Sequence, residues 1–248
     1  MISVVINTYN AERHLRHVLE SVKGFDEIVV CDMESTDNTL SIAKEYGCKT
    51  ITFPKGNITI VEPARNFAIQ SASHPWVLVV DADEIVPKEL REYLYNHIKQ
   101  ETSADGIYIP RRNYFMGRFM HALYPDYILR FFRKEKTEWP AIIHTQPIVK
   151  GKVTHAPKKH GVWFEHLAND SISDRLRKTD IYTEYECEKK SNKHYNAWHF
   201  IIRPTHRFFK NYIIKGGLRD GIPGFIYACL EATYQVVMMG KLREKDKR

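Results

Sequence analysis

Residues 76–84 read Trp-Val-Leu-Val-Val-Asp-Ala-Asp-Glu. A continuous apolar run that ends in carboxylates is typical of a strand buried on both faces of a parallel sheet. Asp81 and Asp83 would then lie at the carboxyl end of that strand, where ligands bind in open α/β sheets. The segment therefore predicts both a parallel sheet and a site at one edge of it.

The residues around this segment alternate between short β-branched runs and helical patterns, which is typical of a parallel sheet with crossover helices. The predicted strands are residues 3–6, 27–31, 49–53 and 76–80, and the predicted helices are residues 12–22, 36–46, 62–72 and about 87–101. Beyond residue 105 the predicted strands, at 106–110, 113–116 and 127–133, are aromatic and of mixed polarity, so the sheet should become mixed or antiparallel. The predicted fold class is α/β and Rossmann-like, with a mostly parallel sheet and a mixed second half.

The last third of the chain differs in charge. Residues 1–170 contain 21 Lys and Arg against 21 Asp and Glu, whereas residues 171–248 contain 16 against 9, which accounts for the net charge of +7. The pattern there is helical, in two or three segments with predicted breaks at Pro204 and at Gly216-Gly217. We therefore predict a domain over residues 1–170, with halves of about 1–104 and 105–170, followed by a basic helical extension over residues 171–248.

This extension has the composition of a segment that contacts a membrane surface. Basic and aromatic residues alternate between residues 203 and 219, and residues 222–239 are mostly apolar but include Glu231 and Gln235. Contact with anionic lipid at the interface is favoured over a spanning helix, which needs about twenty apolar residues. Two alternatives stay open, packing of the apolar face on the rest of the chain and a homodimer through these helices. Nucleic acid is disfavoured because no binding motif accompanies the charge.

Composition excludes several other classes. With 43% hydrophobic and 12% aromatic residues among 248, the chain is globular and not disordered. Its four cysteines form no Cys-x-x-Cys pair, and no signal segment follows Met1, so we expect reduced thiols and a cytoplasmic location. Residues 7–10, Asn-Thr-Tyr-Asn, lack the glycines of dinucleotide and P-loop folds. The histidines between residues 144 and 166 fit no common zinc spacing.

Oxygen-bearing side chains follow three of the predicted strands, at residues 7–10, at residues 32–37 and at residues 81–84. Asp81 and Asp83 bring two like charges close together, which is unfavourable without a positive neighbour. A divalent cation with positions open to phosphate oxygens meets that need, and carboxylates suit Mg²⁺ or Mn²⁺. The alternative is that Asp83 and Glu84 cap the following helix while Asp81 faces solvent.

The chain resembles the family 2 glycosyltransferases, which have the GT-A fold. Four motifs match in order and spacing, namely Asn7-Thr8-Tyr9-Asn10-Ala11-Glu12, residues 30–37, Ala64-Arg65-Asn66 and Asp81-Ala82-Asp83-Glu84. Residues 124–133, His144, His166 and the basic C-terminus resemble the bacterial subgroup that builds lipopolysaccharide core and related surface glycans. One departure concerns the second motif, where Glu34 stands in place of the usual glycine.

The resemblance implies a role for each matching residue. The nucleotide would be held by Thr8, Asn10, Glu12, Asp32, Arg65 and Asp81, with Asp32 on the base, Arg65 against it and Asp81 on the ribose. Asp83 would hold the metal, Mn²⁺ or Mg²⁺, that bridges the diphosphate. The donor would be a nucleotide sugar, with UDP favoured, and the acceptor a glycolipid or oligosaccharide. Transfer would invert the anomeric centre, on the inner face of the cell membrane.

A general base must take the proton of the acceptor hydroxyl, and the candidates are Asp126, His144, Glu165 and His166. Asp126 is preferred because Asp126-x-x-x-Arg130 resembles the acceptor-side motif of the family. The alternative is that Asp126 pairs with Arg130 or Arg133 and only positions the loop. His144, His166 and Arg130 are candidates for contact with the acceptor or the diphosphate.

Two other functions remain open. A nucleotidylyltransferase would share the α/β nucleotide architecture, although it would normally show a glycine-rich loop near its first strand. A non-catalytic membrane-surface binding module on the same fold is the second. The paired aspartates Asp81 and Asp83 favour an enzyme over this second alternative.

Overall fold

The computed structural model describes residues 1–56, 61–100, 103–140, 145–167, 171–190 and 193–245. Within these ranges the strands are β1 (Ile2–Thr8), β2 (Glu27–Asp32), β3 (Lys49–Thr52), β4 (Trp76–Asp81), β5 (Glu84–Ile85), β6 (Gly106–Phe115), β7 (Arg118–Phe119), β8 (Asp126–Arg133), β9 (Thr137–Glu138), β10 (Ile148–Val149), β11 (Val153–His155) and β12 (Phe164–His166). The α-helices are α1 (Glu12–Ser21), α2 (Thr39–Glu45), α3 (Glu62–Gln70), α4 (Lys88–Ile98), α5 (Ile172–Lys189), α6 (Ala197–Phe209) and α7 (Ile222–Lys245).

The main sheet has the order β3-β2-β1-β4-β8-β6-β12-β5, with β7 and β11 also paired to β6. Its first four strands are parallel, whereas β8 runs antiparallel to β4 and to β6. This arrangement confirms the predicted α/β class with a parallel first half and a mixed second half. Parallel pairing aligns the carboxyl ends of β1, β2 and β4, so that Asn7 lies opposite Asp81 and Thr8 lies opposite Asp32.

Alternation along the central strands divides the apolar residues between the two faces of the sheet. On β4, Trp76, Leu78 and Val80 pack in one core together with α1 and α4, while Val77 and Val79 pack in a second core with α3. All five are at most 4% exposed, as expected for a strand covered by helices on both faces. This packing fixes the position of Asp81, the last residue of β4.

Two element boundaries differ from the sequence prediction. Helix α2 begins at Thr39 and not at residue 36, because the carboxylate of Asp37 accepts hydrogen bonds from the backbone N–H and the hydroxyl of Thr39 and turns the chain before the helix. The two predicted strands at 106–110 and 113–116 form one strand, β6, which continues through the polar residues 111–113.

The chain divides into two compact units, Met1–Arg112 with Pro125–Leu167, and Asn113–Tyr124 with Ala168–Arg248. In the second unit the buried carboxylate of Asp220 accepts hydrogen bonds from the backbone N–H of His121 (2.8 Å), His121 Nδ1 (2.7 Å) and the backbone N–H of Ala122 (3.0 Å). These bonds join residues 113–124 to the C-terminal helices. The domain boundary near residue 170 stays a prediction.

Helices α5, α6 and α7 make up most of the second unit. The predicted break at Pro204 is wrong, since Pro204 lies inside α6, which packs against α7. The predicted break at Gly216-Gly217 is confirmed, because Gly216 adopts a left-handed φ of 80° and a side chain at Gly217 would meet the backbone oxygen of Asn211. Among the described residues, α7 alone is long and apolar enough to cross a membrane, and 33% of its apolar window is buried inside the protein.

Candidate active site

The first part of the site is a buried network at the ends of β1 and β2. Asp32 is fully buried, and its carboxylate accepts hydrogen bonds from Thr8 Oγ1 (3.0 Å), Ser35 Oγ (2.6 Å) and the backbone N–H of Ser35 (2.9 Å). A carboxylate with this many donors is held in one orientation. The structure therefore brings together Thr8 and Asp32, as expected for two residues of one pocket.

The loops that follow these strands interlock through side-chain hydrogen bonds. Asn10 Oδ1 accepts from the backbone N–H of Thr36 (2.8 Å), and Glu12 Oε2 accepts from the backbone N–H of Asn38 (3.0 Å). Asn10 has a φ of 49° and Glu34 a φ of 62°. Glu34 thus keeps the left-handed conformation that the glycine of the related motif would adopt, at a cost of about 1–2 kcal/mol.

The second part of the site is an ion-pair cluster around Asp81. Its two carboxylate oxygens accept hydrogen bonds from Arg65 Nη2 at 2.7 Å and from Arg130 Nη2 at 2.6 Å. Burial acts to raise the pKa of Asp81, but the guanidinium groups of Arg130 and Arg65 outweigh it and hold that pKa well below its usual range. Asp81 is therefore ionised and bridged by two cations, and the alternative in which it only faces solvent is wrong.

Arg111 extends the cluster from Glu84 to Asp126. Arg111 Nη1 lies 3.1 Å from Glu84 Oε1, while its Nε and Nη2 donate to Asp126 Oδ2 at 3.0 and 2.7 Å. Glu84 is fully buried, and burial together with the neighbouring charge of Asp81 raises its pKa. Asp126 therefore pairs with Arg111. Arg130 and Arg133, the partners considered from the sequence, pair instead with Asp81 and Asp105, respectively.

Asp83 lies beside His166 on the antiparallel strand pair β5–β12. His166 pairs with Glu84 in the register, which brings His166 Nε2 to 3.4 Å from Asp83 Oδ2. The side chains of Asp83 and His166 are 35% and 21% exposed. No side-chain cap is found for α4, which follows Pro87, so Asp83 and Glu84 do not act as helix caps. Among the described residues no three His, Cys, Asp or Glu side chains form a metal-binding group.

Several buried polar atoms at the ends of β1 and β4 have no hydrogen-bond partner in the described chain. Five of the eight such side-chain atoms belong to this site, namely Asn7 Nδ2 and Oδ1, Arg65 Nε, Arg130 Nη1 and Trp139 Nε1. The ring of Trp139 lies under both guanidinium groups, at 4.8 Å from Arg65 and 5.4 Å from Arg130. Since buried polar groups are normally satisfied, this concentration indicates a place that a polar ligand completes.

The structure thus brings most of the predicted residues into the first unit, and it adds two that the sequence analysis did not identify. Arg111 was missed because its partner Asp126 lies on another strand, and Trp139 because it lies outside every recognised motif. The adjacent cations Arg111 and Arg112, directly after Pro110, are the sequence signal that points to this part of the site. His144 lies outside the described residues.

A parallel sheet that carries carboxylates at the ends of β2 and β4, followed by a mixed half, defines the class of GT-A glycosyltransferases. Residues 3–156 match the sequence profile described as Glycosyl transferase family 2, and the chain belongs to that family. The predicted family and fold are therefore confirmed, and the chain is a glycosyltransferase.

Similar proteins cover almost the whole chain. The lipopolysaccharide core biosynthesis glycosyltransferase LpsC of Rhizobium meliloti is 26% identical over 255 residues, which cover 98% of this chain and 92% of LpsC. The uncharacterized glycosyltransferase RC0292 of Rickettsia conorii is 28% identical over 261 residues, which cover 99% and 90%. Among solved structures, S. aureus TarS 1-349 in complex with UDP has a TM-score of 0.51 at 16% identity, covering 98% of this chain and 91% of TarS, and it shows the shared fold.

Proposed function

We propose that this protein transfers a hexose from a UDP-sugar to a lipid-linked or lipopolysaccharide-type glycan, with inversion and with a divalent metal on the diphosphate. The observation that carries the proposal is the group of unsatisfied polar atoms around Asp81, beside the Asp83–His166 pair. A nucleotide diphosphate supplies the acceptors that Arg65 and Arg130 lack. LpsC, a relative that covers the whole chain, is named for lipopolysaccharide core biosynthesis, which supports the acceptor class.

The nucleoside would bind across the ends of β1, β2 and β4. Asp32, fixed by Thr8 and Ser35, would accept a hydrogen bond from the N–H of a uracil ring, and Asp81 would accept one from a ribose hydroxyl. Both carboxylates are held in place before the ligand arrives, so little conformational entropy is lost on binding. TarS binds UDP on this fold, in agreement with this choice of nucleotide.

A divalent metal fits the residues at Asp83. A carboxylate oxygen and an imidazole nitrogen 3.4 Å apart, both partly exposed, are donors of the kind that Mn²⁺ accepts together. The imidazole favours Mn²⁺ over Mg²⁺, which prefers oxygen ligands. When bound, the ion neutralises charge on the departing diphosphate. Asp83 and His166 would hold it, with the diphosphate completing the coordination.

Asp126 would act as the general base toward the acceptor hydroxyl. It begins β8, its side chain is 37% exposed, and Arg111 holds Oδ2 through two hydrogen bonds. This arrangement fixes the direction of the carboxylate, as a base must be fixed to meet one hydroxyl of the acceptor. Arg111 also joins Asp126 to Glu84, so the proposed base is tied to the residue that follows Asp83 in the chain.

The second unit would attach the enzyme to an anionic membrane surface at the cytoplasmic face. Its excess of basic residues and its exposed apolar side chains support this location. A homodimer through the same helices is the other arrangement compatible with these features.

The test of the proposed function is UDP release with a panel of UDP-sugars, Mn²⁺ and glycolipid acceptors extracted from a bacterial envelope. We expect release that depends on the acceptor with one donor and that stops when EDTA removes the metal. Release that is absent with every donor and acceptor, or that is unaffected by EDTA, contradicts the proposal.

A further inference from the structure

Helix α6 is apolar on the side that faces solvent. Its outer face consists of large apolar side chains that are 50% to 77% exposed. They are Trp198, Ile201, Ile202, Phe209, Ile213 and Ile214, and the last two lie in the turn that continues the helix. Trp198, Ile201, Ile202 and Phe209 are spaced by three, four and seven residues, which places these four on one side of the helix. Exposed apolar side chains contiguous on one helix mark an interaction surface.

The two arginines of α6 point the other way, whereas its polar residues Thr205 and His206 are exposed. Arg203 Nη2 donates to Gln235 Oε1 at 3.2 Å, and Arg207 Nη2 lies 2.7 Å from Glu231 Oε2, both partners being on α7. Arginines thus face the interior of the unit, while tryptophan, isoleucine and phenylalanine face outward. Charged residues on the inner side and large apolar residues on the outer side suit a helix that lies on an apolar phase.

A basic cleft opens along one edge of the outer face. It has a volume of about 580 Å³ and lies between α5, α6 and α7. Its lining includes the cations Lys190, Arg203, Arg207 and Lys210, together with His206. Ile202 lines the cleft and also belongs to the outer face, so the two features adjoin.

The cations of this cleft are only partly neutralised. Lys190 pairs with Glu186, and Arg207 pairs with Glu231, whereas Lys210 forms no ion pair with any described residue. Arg203 lies over the ring of Tyr195 and near Glu186, its Nη2 donates to the neutral amide of Gln235, and its Nε is buried without an acceptor in the described chain. The cleft is therefore suited to an anion with several oxygens, such as a phosphate group.

The charge of this region favours a membrane over a second copy of the chain as the partner of the outer face. Residues 193–222 contain six Lys and Arg but one acidic residue, Asp220, which is buried. Two copies that met through this face would bring like charges together, which is unfavourable. An anionic bilayer supplies both an apolar phase and opposite charge.

We propose that the outer face of α6 is the membrane-binding surface of this protein, and that the adjoining cleft binds the phosphate of an anionic phospholipid through Arg203 and Lys210. The inference rests on the proposed membrane attachment and not on the proposed glycosyl transfer. It assigns the contact to a surface that begins at Trp198, and it gives α7 a supporting role behind α6.

The test is co-sedimentation of the full chain with vesicles of phosphatidylcholine alone and with phosphatidylglycerol added at three parts in ten. We expect Trp198→Ser with Ile202→Ser to lower partitioning to the anionic vesicles at least about tenfold, since two largely exposed apolar side chains lose their burial in lipid. Arg203→Gln with Lys210→Gln should lower partitioning to the same vesicles by roughly 25-fold, at about 1 kcal/mol for each charge, and leave the weak binding to neutral vesicles unchanged.

Matched controls lie on α5 in the same unit. Leu176→Ser with Ile181→Ser removes two exposed apolar side chains, and Lys189→Gln removes one exposed charge, so both should partition like the wild type. Circular dichroism and UDP binding of each variant show that the fold and the nucleotide site are intact. Retained UDP binding separates a failure of this inference from a failure of the proposed transferase.

Three results would overturn the inference. The first is equal partitioning of the wild type and both double variants. The second is a dimer by light scattering that Trp198→Ser with Ile202→Ser converts to a monomer while vesicle binding is unchanged. The third is calorimetric binding of inorganic phosphate that Arg203→Gln with Lys210→Gln abolishes while the same variant partitions to anionic vesicles like the wild type, which would assign the cleft to free phosphate.

Discussion

Asp81 and Asp83 are separated by one residue, yet the structure predicts that replacement by asparagine destabilises the protein at Asp81 and leaves its stability nearly unchanged at Asp83. Asp81 bridges Arg65 and Arg130 at 2.7 and 2.6 Å, and Arg130 is only 6% exposed. Asp81→Asn keeps the shape of the side chain but removes its charge, which leaves neither guanidinium group in hydrogen-bond contact with a carboxylate of the described chain. Breaking a buried ion pair in this way destabilises a protein by about 3–5 kcal/mol.

The side chain of Asp81 is 26% exposed, so the lower end of that range applies, and we expect a loss of about 3 kcal/mol. For a chain of this size the corresponding decrease in Tm is roughly 6–12 °C. Urea unfolding followed by tryptophan fluorescence measures the free energy directly, since Trp139 lies against both arginines.

Asp83→Asn is the matched control for this measurement. The side chain of Asp83 is 35% exposed and lies 3.4 Å from His166, so the free energy of unfolding of Asp83→Asn should stay within about 0.5 kcal/mol of the wild type. If Asp81→Asn is as stable as Asp83→Asn, the ion-pair cluster does not hold the site together and the reasoning is refuted.

Three further predictions concern other parts of the molecule. Burial acts to raise the pKa of Glu27, but hydrogen bonds from Ser3 and Ser73 outweigh it and lower that pKa from 4.5 to about 2. Glu27 therefore contributes about 3 kcal/mol of stability above the ordinary Glu pKa, and this contribution is lost as pH falls toward 2. In urea unfolding at a series of pH values, Glu27→Gln should reduce the loss of stability in acid, whereas Glu20→Gln, which removes an exposed pair, should not. Gly224→Ala should destabilise the second unit by about 3 kcal/mol or more, because its Cβ would lie 1.9 Å from a backbone oxygen, whereas Gly240→Ala in the same helix meets nothing within 4 Å and should stabilise by about 0.5–1 kcal/mol in the same assay. Asp126→Asn should lower kcat about 10²–10⁴-fold with the KM for the donor unchanged; a kcat within threefold of the wild type would show that Asp126 only positions β8.

The parallel half of the sheet could be predicted because its information is local. The apolar run of β4 is followed directly by Asp81 and Asp83 in the chain, so predicting the strand also predicts where these carboxylates lie. The same holds for Asp32 after β2. Motifs at strand ends are therefore sufficient to identify the carboxylates of the candidate nucleotide site.

The mixed second half of the sheet could not be predicted in the same way, because its contacts depend on register. The pairing of β6 with β8 shifts at Ile107 and Tyr108, and a shift of one residue moves every later side chain to the other face. Whether Arg111 meets Asp126 depends on that bulge. The hydrogen bonds from His121 to Asp220 join residues 99 positions apart, a separation that local patterns do not encode.

Pro204 shows a third limit of local reasoning. A proline inside a helix removes one backbone hydrogen bond, which predicts a break. The bonds from Arg203 to Gln235 and from Arg207 to Glu231 hold α6 against α7 on both sides of Pro204. Tertiary contacts of this kind outweigh the local preference.

The proposed chemistry depends on a divalent metal that Asp83 and His166 hold against the diphosphate of a UDP-sugar. Isothermal titration of UDP into the wild type, into Asp83→Ala and into Asp81→Asn, each with Mn²⁺ and with EDTA, tests it most directly. We predict that wild-type affinity falls at least about tenfold in EDTA and that Asp83→Ala shows this weak affinity in both buffers while its Tm is unchanged. Equal affinity of the wild type and Asp83→Ala in Mn²⁺ would contradict the account.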